Sequence, residues 1–153
     1  MPTGWRIVKT RFVQQAFDGE GARLYGGRWN SPGVRMIYTS ESLALAALEI
    51  LAHLGQSSAL ASYSRCAVHF DDVLVTSLDR SLLPTNWRVY PAPSELQLIG
   101  NRWIAAETSA VLEVPSVLVE TESNYLINPL HPDFGSLVID PPEPFDFDPR
   151  LIS

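Results

Sequence analysis

Residues 41–54 constrain the fold of this chain more than any other segment, because they form an almost uncharged helical pattern. Apolar side chains recur at the spacing of one helical face, namely Leu43, Ala47, Ile50, Leu51 and Leu54. Ser40 is a suitable N-cap before the segment, and Gly55 is a suitable stop after it. The opposite face is also mostly apolar, where a surface helix would carry several charges. We therefore predict a helix over residues 41–54 that is buried on more than one side.

Glu49 interrupts the second face of this helix, which otherwise holds Leu45, Ala46, Ala52 and His53. A carboxylate in such surroundings is costly unless it is paired, hydrogen-bonded or protonated, and ionisable groups of this kind cluster at functional sites. This pattern favours a functional role for Glu49. The alternative is structural: a salt bridge to an arginine, or a contact with His53 one helical turn later.

The rest of the sequence predicts several strands and a second helix. Strand patterns occur over residues 3–12, 34–40, 62–70, 109–120 and 136–140, the fourth of them broken by Pro115. In the first of these strands, Trp5, Ile7 and Phe12 are expected to pack inward. The second helix is predicted to run from Ser94, its N-cap, to about Glu107.

Three segments are predicted to lack regular structure. Residues 17–30 are rich in glycine, and residues 124–134 are interrupted by prolines. The tail, residues 141–153, contains too many prolines for a regular element. Its apolar side chains nevertheless predict that it lies against the body of the domain: Phe145, Phe147 and Leu151.

Composition limits the class of protein. The length of 153 residues is typical of one domain, and no linker or internal repeat is found. Cys66 is the single cysteine, so an internal disulfide is excluded, and without a signal-peptide pattern we expect a cytoplasmic protein. No apolar run reaches the length of about 18 residues that indicates a membrane span. The formal net charge of −6 argues against chain-wide attraction to nucleic acid.

Arg28 is the second candidate for chemistry, since it directly follows Gly26 and Gly27. Glycines let a backbone approach a ligand closely, and a guanidinium is a bidentate donor to phosphates and carboxylates. Lys9 is the only lysine among the 11 basic residues, and this arginine bias permits an anion pocket. The alternative is a loop arginine stacked on Trp29. The segment matches neither the P-loop nor the dinucleotide-binding glycine motif.

Two other kinds of site have little support in the sequence. A metal ion would have to be held by Glu49, His53, His69 and His131, which lack the tight His or Cys spacing of zinc sites. Ser116 lacks the G-x-S-x-G surroundings of a serine hydrolase. We therefore expect neither a metal site nor a serine-hydrolase triad.

Three stretches of the chain resemble the RES domain, a family named for an arginine, a glutamate and a serine. They are GEGARLYGGRWNSPGVRMIYTSESLALAALEILAHL, VLEVPSVLVETESNYLINPLHPDF and FDFDPRL. The resemblance runs nearly from end to end. It implies a fold similar to the ADP-ribosyltransferases, which we expect here as a single compact α+β domain over residues 1–153, with mixed or antiparallel sheets and flanking helices.

The resemblance also implies an activity and a partner. RES proteins are typically toxins of bacterial toxin–antitoxin pairs, neutralised by a partner with an Xre-type DNA-binding domain, and they use NAD+. We therefore expect a toxin that arrests growth by cleaving the nicotinamide–ribose bond of NAD+, through hydrolysis or phosphorolysis. NAD+ is its substrate, and no cofactor is expected. The protein would assemble with its antitoxin and would bind neither nucleic acid nor a membrane.

Two alternatives to this activity stay open. The chain would be a protein ADP-ribosyltransferase if it transferred ADP-ribose from NAD+ to a protein instead of to water or phosphate. It would be an inactive regulatory module if it only bound ADP-ribose or NAD+.

Four residues carry over from the family by motif. They are Arg28 of GGRWN, Tyr38 of YTS, Glu49 of LALAALEIL and Ser116 of VPS. Glu49 would stabilise the positive charge that develops on the ribose when nicotinamide leaves, as carboxylates do in glycosidases. Arg28 would bind the pyrophosphate as a bidentate donor.

The other assignments leave alternatives open. Tyr38 would stack on nicotinamide or bond to the ribose, or it is simply a core aromatic residue. Ser116 would orient Glu49 or a ribose hydroxyl, or it only satisfies backbone groups beside Pro115. Asn30 and Asn128 are candidates for the wall of the substrate pocket, although asparagine is equally common in turns.

Overall fold

The computed structural model describes residues 1–53 and 61–151. Its strands are β1 (Thr3–Lys9), β2 (Ile37–Ser40), β3 (Tyr63–His69), β4 (Val75–Ser77), β5 (Val111–Pro115), β6 (Ser123–Ile127), β7 (Val138–Ile139) and β8 (Glu143–Phe145). Its α-helices are α1 (Glu20–Tyr25), α2 (Leu43–His53) and α3 (Ser94–Ala106). None of the helices in these two ranges is both long and apolar enough to span a membrane.

The strands within the described ranges form one sheet, in the order β4-β5-β6-β2-β1-β3-β7, and β8 pairs with β3 outside this path. Neighbouring strands are antiparallel except for β4 and β5, which run parallel. β2 lies between β6 and β1, and its last residue, Ser40, pairs with Asn124 of β6. The start of α2, which follows β2, is therefore close to the start of β6.

Apolar clusters pack on both faces of the sheet. Leu96 and Trp103 of α3 pack with Leu112 of β5, while Ala46 of α2 belongs to a neighbouring cluster on β1 and β3. Successive strand residues point to opposite faces, so Val111 belongs instead to a third cluster. The predicted α+β class, with a mixed sheet and flanking helices, is confirmed.

The helix predicted over residues 41–54 is present but begins later, at Leu43. Ser42 rather than Ser40 caps it, because the Leu45 N–H donates to the Ser42 hydroxyl at 3.1 Å. Two positions of the prediction lie outside the described residues: Leu54 and Gly55.

The burial of α2 differs from the prediction. Leu45 and Ala46 are buried, but Leu48 is 45% exposed, and Ala44 and Ala52 are exposed as well. The helix therefore covers the sheet with one side and leaves an apolar stripe at the surface. Burial on more than one side was the wrong expectation, because a lack of charge does not by itself require a covering layer.

Residues 17–30, predicted to be an irregular loop, contain the short helix α1. The Arg23 N–H donates to the Gly19 carbonyl at 3.1 Å, and Arg23 also forms an ion pair with Glu20 one turn earlier. Gly26 ends the helix with a φ of 72°, which glycine adopts without strain. Gly19 precedes this helix and Gly26 ends it, so the prediction of a continuous loop was wrong.

Residues 124–134 were also predicted to be irregular, yet they begin with most of β6. Tyr125, Leu126 and Ile127 are buried in the sheet between β5 and β2. A short and wholly buried apolar run is typical of an inner strand. The prolines that follow it end the strand instead of excluding it.

The tail contains β8, although residues 141–153 were predicted to have no regular element. β8 tolerates its proline because it lies at the edge of the sheet. The Phe147 ring meets those of Tyr63 and Phe145 edge to face, with centroids 5.3 and 5.0 Å apart. Packing of the tail is confirmed for these two phenylalanines, but Leu151 is 58% exposed, against the prediction.

The first strand is shorter than predicted. β1 ends at Lys9 and continues as a 3-10 turn, in which Phe12 is 48% exposed instead of packed inward. Trp5 and Ile7 do pack in the α2 cluster, as predicted. β5 ends at Pro115 and does not resume over residues 116–120, which the prediction of a strand over residues 109–120 required, and the short strand β4 was not predicted.

Helix α3 is confirmed from Ser94 to Ala106, but Ser94 as its N-cap was wrong, because Pro93 holds the N-cap position and no side chain makes a cap hydrogen bond. Gly100 lets this helix touch the backbone of the glycine-rich segment. A Cβ atom added at Gly100 would lie 1.7 Å from the carbonyl oxygen of Trp29. This close approach fixes the segment that carries Arg28.

We expect Gly100→Ala to lower the free energy of unfolding by about 1–3 kcal/mol or more, because the new methyl group overlaps the Trp29 carbonyl. Urea unfolding followed by circular dichroism measures the change. Gly21→Ala is the matched control, since nothing lies within 4 Å of its added Cβ and alanine favours helix α1. Equal destabilisation of the two variants would contradict the contact.

Candidate active site

Glu49 lies in the middle of α2 with its side chain half-buried. Its Oε1 atom accepts hydrogen bonds from the Ser116 hydroxyl at 3.3 Å and from the Asn124 side-chain amide at 3.2 Å. The second oxygen, Oε2, has no protein partner among the described residues. The carboxylate is therefore held through one oxygen and offers the other.

The structural alternatives for Glu49 are not formed in the described part of the chain. Its carboxylate makes no salt bridge there with an arginine, and none with His53, which is exposed at the end of α2. Neutral donors alone position this acid.

Ser116 is fully buried just after β5. Its Oγ atom accepts hydrogen bonds from the N–H groups of Leu118 at 3.1 Å and Val119 at 3.2 Å. Both lone pairs are then used, so the hydroxyl proton is directed to Glu49. Among the roles predicted for Ser116, the structure contains the contact with Glu49 and the satisfaction of backbone groups.

Asn124 is a site residue that sequence reasoning missed. It pairs with Ser40 of β2 and Val114 of β5, and its Nδ2 atom donates to Glu49. Its Oδ1 atom is buried without a hydrogen-bond partner, which costs about 1–3 kcal/mol. Reading the apolar run after Asn124 as a strand would have placed Asn124 near the start of that strand.

The Tyr38 hydroxyl joins β2 to the glycine-rich segment. It donates to Asn30 Oδ1 at 2.7 Å and accepts from the Trp29 N–H at 2.9 Å. Burial raises the pKa of Tyr38 far above its ordinary value, against the hydrogen bond from Trp29 and the charge of Arg28, which lower it. The phenol is therefore neutral, and its hydroxyl already donates one hydrogen bond and accepts another within the protein.

Asn30 is completely buried and holds the same segment together. Its Nδ2 atom donates to the carbonyls of Ala22 at 2.8 Å and Val34 at 2.9 Å, and its Oδ1 atom is taken by Tyr38. The side chain thus shapes the loop from within. Its predicted place in the wall of a substrate pocket stays a prediction.

Gly27 is required for the close approach of Tyr38, because a Cβ atom there would lie 2.6 Å from the hydroxyl oxygen. On the other side, Gln97 of α3 donates to the carbonyls of Gly27 at 3.0 Å and Asn30 at 3.1 Å. Side chains of β2 and α3 therefore hold the turn that carries Arg28 in place from two sides.

Arg28 extends from this turn toward residues 84–90. Its Nη1 atom donates to the carbonyls of Trp87 at 3.0 Å and Val89 at 3.2 Å. Burial lowers the pKa of the guanidinium, whereas the charge of Glu49 raises it, and the group stays protonated. The two opposite charges interact, although Arg28 and Glu49 form no direct ion pair among the described residues.

Asn128 is not brought to this site. It directly follows β6, four positions beyond Asn124, a distance of about 13 Å at the rise of a strand. Its Oδ1 atom accepts from the Leu130 N–H at 3.0 Å, as in an ordinary turn. Its predicted role in the pocket wall has no support from this position.

The described residues also bear on two other kinds of site, a metal site and a surface groove. No group of three or more His, Cys, Asp or Glu side chains in residues 1–53 and 61–151 is arranged to hold a metal ion. A shallow groove of about 400 Å³ lies between residues 13–18 and 139–142, and none of the predicted site residues lines it.

Comparison with protein families gives the decisive result, because the family described as the RES domain matches residues 3–148. The chain belongs to the RES domain family. "Toxin Res" of Yersinia enterocolitica, serotype O:8 / biotype 1B, is 42% identical over 148 residues, which cover 96% of this chain and 97% of that protein. Membership of the RES family is confirmed.

A second relative is named for a chemical activity. The "Prs ADP-ribosylating toxin" of Sphingobium sp. strain YBL2 is 35% identical over 153 residues, covering 97% of this chain and 95% of that protein. Among solved structures, the toxin–antitoxin complex MbcT-MbcA of M. tuberculosis contains a similar chain, with a TM-score of 0.76 and 20% identity. The match covers 95% of this chain and 84% of that one, and it shows a shared fold.

We expect Tyr38→Phe to lower the free energy of unfolding by about 1–3 kcal/mol, because the buried Trp29 N–H and Asn30 Oδ1 both lose their partner. Chemical denaturation measures the difference. Tyr25→Phe is the control, since the Tyr25 side chain is 84% exposed, and its effect should stay within about 0.5 kcal/mol. A Tyr38→Phe protein as stable as the control would mean that the hydroxyl does not hold the loop.

Proposed function

We propose that this RES protein is the toxin of a toxin–antitoxin pair and cleaves the nicotinamide–ribose bond of NAD+, which arrests growth. The observation that carries the proposal is the Glu49 carboxylate, held through Oε1 by Ser116 and Asn124 with Oε2 left for a ligand. A carboxylate fixed by neutral donors keeps its negative charge available, whereas one paired with an arginine would not.

The chemistry of the bond requires such a group. As nicotinamide leaves, positive charge develops on the ribose in an oxocarbenium-like state, similar to the state that glycosidases stabilise with carboxylates. A preorganised charge next to that ring lowers the barrier without moving during the reaction. Ser116 and Asn124 supply the preorganisation, because each donates to the same oxygen of Glu49.

The charges of the site also match the substrate. NAD+ carries a negative pyrophosphate and a positive nicotinamide ring, and the site presents Arg28 and Glu49 without a direct ion pair between them. Arg28 uses Nη1 for two carbonyls, which leaves three of its five N–H groups for the pyrophosphate. The Tyr38 hydroxyl already donates to Asn30 and accepts from Trp29, so its ring is the part that would contact nicotinamide.

Water or phosphate is the acceptor of ADP-ribose in this proposal. Transfer to a protein is the second candidate, and it is favoured by the name of the Sphingobium relative, an ADP-ribosylating toxin. Both reactions share the departure of nicotinamide and the role of Glu49. They differ only in the group that attacks the ribose.

An antitoxin with an Xre-type domain is the partner that we propose. Support comes from the similar fold of a chain in the MbcT-MbcA complex, which is a toxin with its antitoxin. Co-expression with an Xre-like protein encoded by a neighbouring gene should restore growth and give a stable complex on gel filtration. Growth arrest that persists beside a soluble, well-expressed candidate would exclude that protein as the partner.

Glu49→Gln is expected to reduce kcat for nicotinamide release by about 100- to 1,000-fold, because the charge that stabilises the cationic ribose is lost. Glutamine keeps an acceptor for Ser116 and Asn124, so the melting temperature should change little. Chromatography of nicotinamide gives the rate. Glu95→Gln on the exposed first turn of α3 is the matched control and should retain full activity.

Mass spectrometry of the products identifies the acceptor. ADP-ribose indicates hydrolysis, ADP-ribose-1″-phosphate indicates phosphorolysis, and a labelled protein band from labelled NAD+ in lysate indicates transfer to a protein. If the wild-type protein releases no nicotinamide with water, phosphate or lysate, the chain is not an NAD+-consuming enzyme. Binding of ADP-ribose without turnover would then favour a regulatory module.

A further inference from the structure

Residues 84–90, called here the 84–90 segment, lie beside the site, and the proposed function assigns them no role. The segment is folded as two successive turns: the Trp87 N–H donates to the Pro84 carbonyl, and the Val89 N–H donates to the Asn86 carbonyl, both at 3.1 Å. The side chain of Trp87 packs against the apolar cluster of α3. The inner side of the segment is therefore anchored in the core.

Arg28 anchors the outer side of the same segment. One nitrogen, Nη1, donates to two of its carbonyls, those of Trp87 and Val89. Hydrogen bonds from a charged donor are stronger than neutral ones, and these two connect positions 59 and 61 residues from Arg28. The position of the segment relative to Glu49 thus depends on the guanidinium.

Tyr90 directly follows the second of these carbonyls, so the backbone places it next to the guanidinium. Its side chain is 81% exposed. Although burial lowers the pKa of Arg28, Tyr90 is among the groups that raise it, which agrees with this proximity. A large aromatic ring is thus held at the surface beside the predicted phosphate-binding residue.

We propose that Arg28 positions the 84–90 segment and that Tyr90 is the platform on which the adenine ring of a dinucleotide stacks. The proposal rests on the proposed function. If Glu49 takes the nicotinamide ribose and Arg28 the pyrophosphate, adenine is the planar group of NAD+ that remains. Stacking on an exposed aromatic ring needs no buried pocket and no hydrogen bond to the base.

Titration of NAD+ by calorimetry tests the platform in proteins that carry Glu49→Gln, which slows turnover enough for binding to be measured. Adding Tyr90→Ala should raise the Kd for NAD+ at least about 5-fold, because stacking on a base is lost. Adding Tyr90→Phe should leave the Kd unchanged, since the ring remains. Phe12→Ala is the control, because it removes a 48% exposed ring from the turn after β1.

The outcomes separate this proposal from the proposed function. If wild-type protein consumes NAD+ but Tyr90→Ala leaves the Kd unchanged, the platform is wrong and the activity stands. If the wild-type protein consumes no NAD+ but Tyr90→Ala weakens its binding, the activity is wrong and the platform stands. If none of the Glu49→Gln proteins binds NAD+, the platform is overturned, and nicotinamide release by the wild-type protein alone decides the activity.

Amide hydrogen exchange tests the positioning role of Arg28 without any ligand. Arg28→Met should speed exchange of the Trp87 and Val89 amides, whose turn hydrogen bonds depend on the anchored segment. Arg28→Lys should restore part of the protection, because an ammonium still donates to one carbonyl. Arg102→Met on the exposed side of α3 is the control. Equal exchange in Arg28→Met and Arg102→Met would overturn the role.

Discussion

The two hydrogen bonds received by one oxygen of Glu49 are the constraint on which the candidate site depends. Their donors, Ser116 and Asn124, come from the end of β5 and the start of β6, while the acid lies on α2. The antiparallel register of β5, β6 and β2 brings these elements together. A slip of one residue in β6 would turn Asn124 to the other face of the sheet and remove a donor.

The second half of the site is the glycine-rich turn that carries Arg28, which is hydrogen-bonded from two sides. Tyr38 bonds to it from β2, and Gln97 bonds to it from α3, so the turn that presents Arg28 has little freedom to move. The guanidinium in turn bonds to two carbonyls and not to Glu49. The separation of Glu49 from Arg28 matters, because a direct ion pair between them would neutralise both charges before a substrate bound.

Some site residues were recognisable from local pattern, and others were not. Glu49 stood out because an acid is unexpected among alanines and leucines. In the structure its carboxylate accepts hydrogen bonds from Ser116 and Asn124. Asn124 was missed because the prolines after it made its strand look like a loop. Asn30 was a candidate for the pocket wall or for a turn, and its side chain bonds to the loop from within. A polar residue type does not reveal which partner it will meet.

The sequence by itself determined several local elements: the spacing of apolar residues set helix α2, and glycine at positions 26 and 27 permitted the tight turn before Arg28. It also carried the family motifs. Only the tertiary structure decided that Oε1 of Glu49 is occupied while Oε2 is open, and that Arg28 holds a segment about 60 residues away. The reason is physical: periodicity is a property of neighbouring residues, whereas hydrogen bonds to carbonyls and between strands depend on which distant parts of the chain the sheet brings together.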